Sequence, residues 1–511
     1  MKLADLEHAR VAVWGHGREG RAALAALRRR FPQKAVTLFC SEAEAHSLRA
    51  EMESPSPSTG SGERAEVRGM HDISLDIPVS AAPPPHPTLS PIASDGGEGM
   101  FRIVTTAPDA AVLSQFDVVI KSPGISPYKA PIPEAVAAGV EFTSGTALWF
   151  AENPQTRVIG VTGTKGKSTT SAMIAHIARS LGVRTALAGN IGLPLLELLD
   201  GDAKLWVVEL SSFQTGEAGP LDVGVITNLY EEHLDWHGSR ERYAADKLKL
   251  ADVARTLIVN AEQPQLLERT ATHPRRVLYP DAAGWHLHDG IVYRGKADTA
   301  EAMFIESVRG RHNWLNALAA LTALDATGLL SERCTQYGWT YSDASTPLAS
   351  FQGLPHRLQT LGERDRVTYI NDSISTTPYA TLEALRSLSG EDTVVILGGH
   401  DRGLDWSEFS MAMKSWIRVR FITQGANGAR IAQSLRAAGV SIGLVHETSG
   451  LAQAVALARQ VTQGSKGTIL LSPGAPSFDQ FKDYAERGRE FARLAGFDPA
   501  AIAQIEGLGI A

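Results

Sequence analysis

The first patterned segment, RVAVWGHGREGRAALAALRRR (10–30), is a short apolar run that meets a glycine-rich turn, after which apolar positions recur at the helical period. Strand, glycine turn and amphipathic helix in that order are how a doubly wound α/β domain starts. AVTLFC supplies the next strand. From about 52 to 100 the pattern dissolves into SPSPSTGSGE, SAAPPPHPTLSP and SDGGEG, a composition that buries too little apolar surface to offset its ordering entropy. This stretch is expected to be a disordered insertion in the first domain. Order resumes at FDVVIKSPGIS, a strand that ends in a Ser-Pro-Gly turn.

Past Asn153 and Pro154 the rhythm restarts with VIGVTGTKGKSTTSAMIAHIARSL, in which Met173, Ile177 and Leu181 share one helical face. The runs LWVVEL, VGVITNL and TLIVN are apolar without alternation, as central parallel strands covered on both faces must be. A helix follows in NWLNALAALTALDAT and is halted by Gly328. Beyond the turn-rich stretch near Thr346, the runs VTYI, TVVIL, RFIT and TILLS alternate with helical patterns and predict a third parallel α/β unit. The reading is three consecutive α/β domains: Rossmann-like over 1–153, a P-loop domain over 154–345, and Rossmann-like over 346–511.

Composition supports this count, since 511 residues at roughly 150 per domain give about three. Only Cys40 and Cys334 occur, too few for a disulfide framework or a thiolate cage, and each is expected to be a small buried residue. With 49 Lys+Arg against 56 Asp+Glu the net charge is −7, which argues against a nucleic-acid surface. No apolar run approaches the ~18 residues of a membrane span, and the acidic start does not read as a secretory signal. A cytoplasmic protein acting on small molecules is expected, with no membrane insertion.

The strongest local signal is TGTKGKST (162–169), between a strand and a helix. Phosphates need convergent backbone N–H groups, a helix N-terminus, a lysine and a hydroxyl for magnesium. Gly163, Thr164, Lys165, Gly166, Lys167, Ser168 and Thr169 supply them, although Val161 stands where the strict phosphate-loop pattern wants glycine. A magnesium nucleotide also needs carboxylates at neighbouring strand tips. Glu209 closes LWVVEL and is the first candidate metal ligand, while NLYEEHLDWH adds Glu231, Glu232, His233 and Asp235 past the next strand. A structural histidine is an equally good reading of His233. Lys247, in YAADKLKLAD, reads as an ordinary exposed helical lysine.

GHGREG (15–20) fits GxGxxG after a strand, with Glu42 and Glu44 following the second strand. By itself this would serve NAD as well as any nucleoside diphosphate. Together, the two loops point to ATP-driven chemistry on a nucleotide-linked substrate.

At this point the chain resembles the Mur ligases, the ATP-dependent muramoyl-peptide ligases of peptidoglycan synthesis, and within them the glutamate-adding enzymes. The resemblance spans nearly the whole chain apart from the insertion. It rests on TGTKGKST, AGNIGLP, VVELSSFQ, EEHLDWH, YAADKLKL, GRHNWLNALAA, GLPHRLQ, NDSISTTP, GGHDRG and SPGAPSFDQFKDYAERGREF.

The resemblance implies that the first domain holds the UDP of UDP-N-acetylmuramoyl-L-alanine, with Gly15, Gly17, Gly20 and Ser122 near its phosphates and uracil. It implies Lys167 on the ATP phosphates, Ser168 and Glu209 on one Mg2+, and His233 with a carbamylated Lys247 on a second. Asn190 would touch substrate, Asn313 and Asn316 would frame the adenine, and Arg357 and Asp372 would reach the nucleotide. Thr376, Arg402, Ser477 and Tyr484 would form the amino-acid pocket of the third domain. The implied reaction passes through an acyl phosphate, which glutamate attacks to give an amide.

Members that add D-glutamate usually carry lysine where this chain has Ile374 and Arg402. A lost cation and a guanidinium in place of an ammonium change how the carboxylates are gripped. The chain is similar to the branch that adds L-glutamate, which is the favoured substrate, with D-glutamate the alternative. A glutamyl epimerase is the functional link this branch implies, and a monomer is expected. Three rival readings are weaker. A nicotinamide-dependent oxidoreductase, with Glu42 or Glu44 on the ribose, leaves TGTKGKST unexplained. Folate polyglutamylation leaves the first domain unexplained, and a noncatalytic regulator has no use for Lys167, Glu209, His233 and Lys247.

Overall fold

The computed structural model describes residues 1–53, 101–230, 234–288, 291–295, 301–303, 310–351, 353–388, 390–501, 505 and 507–511. It divides into two compact units, 1–164 with 186–257 and 272–275, and 165–185 with 258–271 and 276–511.

The first unit holds a five-stranded parallel sheet in the order Phe101–Val104, Val36–Phe39, Val11–Trp14, Val118–Lys121, Glu141–Thr143. Val11 lies in register with Val36 on one side and Val118 on the other, so the first strand is central and its tip opens onto the glycine turn. Ala12, Phe39, Leu113, Val119, Ala135 and Val140 form its buried core. The expected insertion overlaps the helix Glu42–Glu53 at its first positions, and 54–100 lie outside the described residues.

In the same unit Val158–Thr162 runs parallel between Leu205–Glu209 and Leu221–Ile226. The register pairs Val161 with Glu209 and Thr162 with Ile226, so the loops that follow all three strands leave from one edge of the sheet. Ligands of open α/β sheets bind at that edge. Leu205–Glu209 and Val158–Thr162 are buried along their whole length, which explains their unbroken apolar sequences.

In the second unit the helix Lys167–Ser180 packs with Arg311–Ala326, the helix read from NWLNALAALTALDAT. Gly328, at φ 80°, precedes a further helix, Leu329–Tyr337. A small antiparallel sheet, Trp285–His288 with Ile291–Arg294 and Glu301–Met303, was not anticipated, because its strands are too short to show a period.

The C-terminal sheet runs Gln359–Arg364, Val367–Asn371, Gly467–Leu471, Thr393–Leu397, Val419–Thr423, Val445–Glu447. It corrects the all-parallel expectation: its first strand is antiparallel to the second. The cause is a two-residue turn at Asp365 and Arg366, at φ 53° and 66°, the backbone that folds strands into a tight hairpin. Two further points concern single residues. Cys40 is buried as expected, but Cys334 is only half-buried. Among the described residues no helix is long and apolar enough to cross a membrane.

At the end of the chain, Thr185 N donates to Ala511 O at 2.7 Å and Ala511 N returns a bond to Thr185 O at 3.2 Å. Arg179 reinforces the junction by donating to the carbonyls of Gly507 at 2.6 Å and Gly509 at 2.9 Å.

Candidate active site

The TGTKGKST segment leaves the strand Val158–Thr162 and enters the helix Lys167–Ser180. Its first half is pinned within the first unit. Gly163 has φ 146°, and a Cβ there would fall 1.9 Å from Thr227 Oγ1, so only glycine fits. Thr164 N donates to Asn228 O and Asn228 Oδ1, both at 3.1 Å, and Thr164 Oγ1 donates to Tyr230 O at 2.9 Å. Its second half belongs to the second unit, where Gly166 at φ 84° precedes the helix and a Cβ would meet Asn316 Oδ1 at 2.4 Å. Lys167 and Ser168 occupy the first turn of that 14-residue helix, where orphan N–H groups and the macrodipole favour anions. Lys165 is exposed and Thr169 buried. Asn316 Oδ1 accepts from Thr170 Oγ1 at 3.3 Å and Asn316 Nδ2 donates to Asn313 Oδ1 at 3.2 Å, tying both predicted adenine residues to the loop helix.

Glu209 is 1% exposed at its strand tip. Asn190 Nδ2 donates to its Oε1 at 2.7 Å, and the backbone N of Asn190 donates to its carbonyl at 2.9 Å. Gly189, at φ 95°, permits this approach, because a Cβ there would stand 2.3 Å from the Glu209 carbonyl oxygen. Glu209 Oε2 is buried without a hydrogen-bond partner among the described residues. A buried carboxylate oxygen left open in this way is suited to a cation. His233 lies outside the described residues, with Glu231 and Glu232; Asp235 is exposed.

Lys247 overturns its expectation as an exposed surface lysine: it is 2% exposed, and its Nζ donates to Gly163 O at 3.0 Å. The helix Arg240–Val253 turns Tyr243, Asp246 and Lys247 inward together, a spacing that places all three on one face. Tyr243 OH shares a hydrogen bond of 2.8 Å with Thr164 Oγ1. Asp246 is gripped by three donors, Tyr128 OH at 2.5 Å, His237 Nδ1 at 2.7 Å and Lys249 Nζ at 2.7 Å. Burial opposes its charge, but the bonds from Lys249, Tyr128 and His237 win and hold the carboxyl below its ordinary range.

In the first sheet Gly15 has φ 96°, and a Cβ there would lie 2.5 Å from Ser122 Oγ. Gly20 abuts Gly15, with a notional Cβ 1.9 Å from the Gly15 carbonyl oxygen, whereas nothing lies within 4 Å of a Cβ on Gly17. Ser122 Oγ is buried and unpartnered among the described residues. Glu44 is occupied in holding the turn, accepting from His16 N at 3.2 Å and from Ser41 N at 2.8 Å. Glu19, in the first turn of the following helix, is pushed up to about 7 by burial and then by the charges of Glu217 and Glu197.

In the C-terminal sheet Asp372 is buried, accepting from Leu358 N at 3.1 Å and Ser472 Oγ at 2.8 Å. Burial pushes its carboxyl up to about 7 despite those bonds. Its neighbour Arg357 is half-buried. Thr376 is half-buried, Ser477 buried, Tyr484 exposed, and Arg402 exposed at the tip of the GGHDRG loop. Arg430 braces that loop through Asp401 and the Leu404 carbonyl. Sequence reasoning missed Arg487. It is 1% exposed and donates to Ser373 Oγ at 3.0 Å, Ser373 O at 2.8 Å, Ala475 O at 2.9 Å and Pro476 O at 3.1 Å. One guanidinium thus staples NDSIS to GAPS; the only advance signal was an arginine on the buried face of an amphipathic helix.

Two family models match the chain, the Mur ligase middle domain over 161–324 and the Mur ligase glutamate ligase domain over 356–475. The chain is 42% identical to a UDP-N-acetylmuramoyl-L-alanine–L-glutamate ligase of Xanthomonas euvesicatoria, with 100% of both chains covered. It belongs to the Mur ligase family. An enzyme of the same name from Xylella fastidiosa is 41% identical, again over 100% of both chains, and one from Salinispora tropica is 34% identical over 96% of this chain and 98% of its own. Among solved Mur ligases, UDP-N-acetylmuramate-alanine ligase of Thermotoga maritima shares the fold at a TM-score of 0.54 and 19% identity, covering 95% of this chain and 99% of that one. MurF ligase of Thermotoga maritima, in complex with ADP, does so at 0.50 and 15%, covering 97% and 96%. The Mur ligase middle-domain match includes Gly163 to Ser168 by position, together with Glu209, Lys247 and Asn316; the glutamate ligase match includes Arg357, Asp372 and Arg402.

Proposed function

We propose that this Mur ligase joins L-glutamate to UDP-N-acetylmuramoyl-L-alanine, converting ATP to ADP and phosphate. The observation that carries the reading is the full-length similarity to relatives bearing that enzyme name. Residues 1–153 take the UDP-substrate, 154–345 the ATP and 346–511 the amino acid. In the first segment Gly15, Gly17 and Gly20 admit the diphosphate and the open Ser122 Oγ donates to it.

The alanyl carboxylate attacks the γ-phosphate of ATP, so two anions must meet. Lys167 and the N-terminus of its helix hold the phosphates and draw charge from them. Glu209 and Ser168 are the ligands of one Mg2+, the open Glu209 Oε2 being the donor that fits it. His233 and Lys247, the latter as a carbamate formed when its amine adds CO2 and loses a proton, hold a second. Bound magnesium supplies the charge neutralisation that lets carboxylate and phosphate approach. Asn190 orients Glu209 and touches substrate, Asn313 and Asn316 frame the adenine, and Arg357 and Asp372 meet the nucleotide. The α-amine of glutamate, held by Thr376, Arg402, Ser477 and Tyr484, attacks the acyl phosphate carbonyl; phosphate leaves and an amide remains. We place the reaction in the cytoplasm, carried out by a monomer, ahead of an epimerase that inverts the added glutamyl residue.

Phosphate release from ATP in the presence of UDP-N-acetylmuramoyl-L-alanine, measured separately with L- and D-glutamate, tests the reading. Release with L-glutamate alone is expected. Release with D-glutamate alone reassigns the enantiomer, and silence with both refutes the reaction.

A further inference from the structure

We infer that Asp246 is a positioning residue that aligns Lys247 with the substrate-domain loop 122–128 and with the loop after Glu209, and so couples occupancy of the UDP-substrate site to the phosphoryl-transfer step. The inference rests on the reaction proposed above.

Three chain segments converge on this carboxylate. Tyr128, just past the SPGIS turn that begins with Ser122, donates its hydroxyl at 2.5 Å. His237 donates Nδ1 at 2.7 Å, and its Nε2 lies 3.0 Å from Ser212 Oγ in the SSFQ loop that follows Glu209. Lys249, on the same helix, completes the set at 2.7 Å. Asp246 itself is 4% exposed and His237 fully buried, so the bond between them is shielded from competing water, while Tyr128 and Lys249 reach the carboxylate from the surface. Thr215 Oγ1 also donates to the Asp246 carbonyl at 2.6 Å, so both backbone and side chain of this residue are held.

The 122–128 loop is docked at more than one point. Ser126 Oγ donates to Trp236 O at 2.6 Å, Trp236 Nε1 donates back to Pro123 O at 3.1 Å, and the Trp236 ring packs edge-on against Tyr128 and stacks on Phe213. The next residue in the helix after Asp246 is Lys247, on Gly163 O. Asp246 is therefore the group in which bonds from the Ser122 loop and, through His237, the Glu209 loop meet, one residue before the lysine that bonds the phosphate loop. A surface aspartate serving only helix solubility needs none of these partners.

The test uses the full-length protein. Asp246→Asn keeps the shape of the side chain and removes its charge. It is expected to lower kcat about 10–100-fold, the usual effect of losing a partner that orients a ligand. The same variant raises KM for UDP-N-acetylmuramoyl-L-alanine, while KM for glutamate is unchanged. Tyr128→Phe removes one hydroxyl and keeps the ring against Trp236; it moves the same two parameters by a smaller factor. In the double variant the effects are less than multiplicative, because both act through one carboxylate. An unchanged kcat in both single variants overturns the proposal. So does a loss that moves all KM values together and tracks the folded fraction measured by urea denaturation, or a double variant whose effects simply multiply. Absence of ligation by the unaltered protein refutes the reaction itself and the inference with it.

Discussion

Lys247 donates its ammonium to the carbonyl oxygen of Gly163 at 3.0 Å, inside the protein and against the loop expected to hold ATP. A lysine is seldom this buried without a functional reason, since desolvating its charge is costly. Lys247→Ala is expected to reduce kcat by about 100-fold or more, the scale on which lost electrostatic stabilisation acts. Circular dichroism should show a retained fold, and phosphate release measures the rate. Turnover within a fewfold of the unaltered protein removes Lys247 from the mechanism.

Gly189→Ala places a methyl 2.3 Å from the Glu209 carbonyl oxygen at a residue whose φ is 95°. The cost in stability is about 1–3 kcal/mol from backbone strain alone. Urea denaturation should show a lowered midpoint. Activity is expected to fall further than stability, because the Asn190 contact to Glu209 is lost with the turn.

Glu19 supplies a pH signature. Its carboxyl is raised from 4.5 to about 7 in the folded chain. The folded state therefore keeps a proton that the unfolded state has lost, and this stabilisation is present below about pH 4.5 and disappears as pH rises to about 7. Asp372, raised from 3.8 to about 7, acts in the same direction. Glu19→Gln removes its own part, so the thermal midpoint of the variant should decline less between pH 5 and 7 than that of the unaltered protein. Parallel curves contradict the assignment.

Arg487→Met leaves the carbonyls of Ser373 and Ala475 without the guanidinium that donates to them, at a cost of about 1–3 kcal/mol for each buried group, while Pro476 O keeps its bond from His400 N at 2.8 Å. Arg487→Lys keeps the charge but not the fork. Both are expected to raise KM for glutamate, the methionine variant more, with KM for ATP less affected. Steady-state kinetics with each substrate varied in turn decides this.

Ile374→Lys combined with Arg402→Lys adds one cation and exchanges a guanidinium for an ammonium, the pair of lysines that the resemblance to the glutamate-adding branch leads one to expect where D-glutamate is used. The ratio of D- to L-glutamate turnover should rise, measured by phosphate release with each enantiomer. An unmoved ratio places enantiomer choice elsewhere in the pocket.

Much of the architecture was legible because it is written in local rules. Uninterrupted apolar runs such as LWVV mark strands covered on both faces, and glycines at 15, 163 and 166 mark turns where side chains clash. The hairpin at Asp365 and Arg366 was not legible, since neither residue advertises a positive φ as Asn-Gly does. Lys247 and Lys249 are near neighbours of the same type on one helix, yet only the first is wholly buried. Period and composition do not separate them; the docked partners do. His237 and Asp246 stand in EEHLDWH and YAADKLKL, but nothing in either stretch marks them as partners of each other, and Tyr128 lies 118 residues from Asp246, so their meeting depends on tertiary placement that no window of residues records.

The pairing of Thr185 with Ala511 has a mechanical meaning. The end of the chain, far from Thr185 in sequence, returns to pair with it, and Arg179 rivets that return through Gly507 and Gly509. The last residues are thereby built onto the strand that begins at Thr185, and cutting the chain after 506 would strip Thr185 of both its backbone bonds to Ala511 and leave Arg179 without the Gly507 and Gly509 carbonyls.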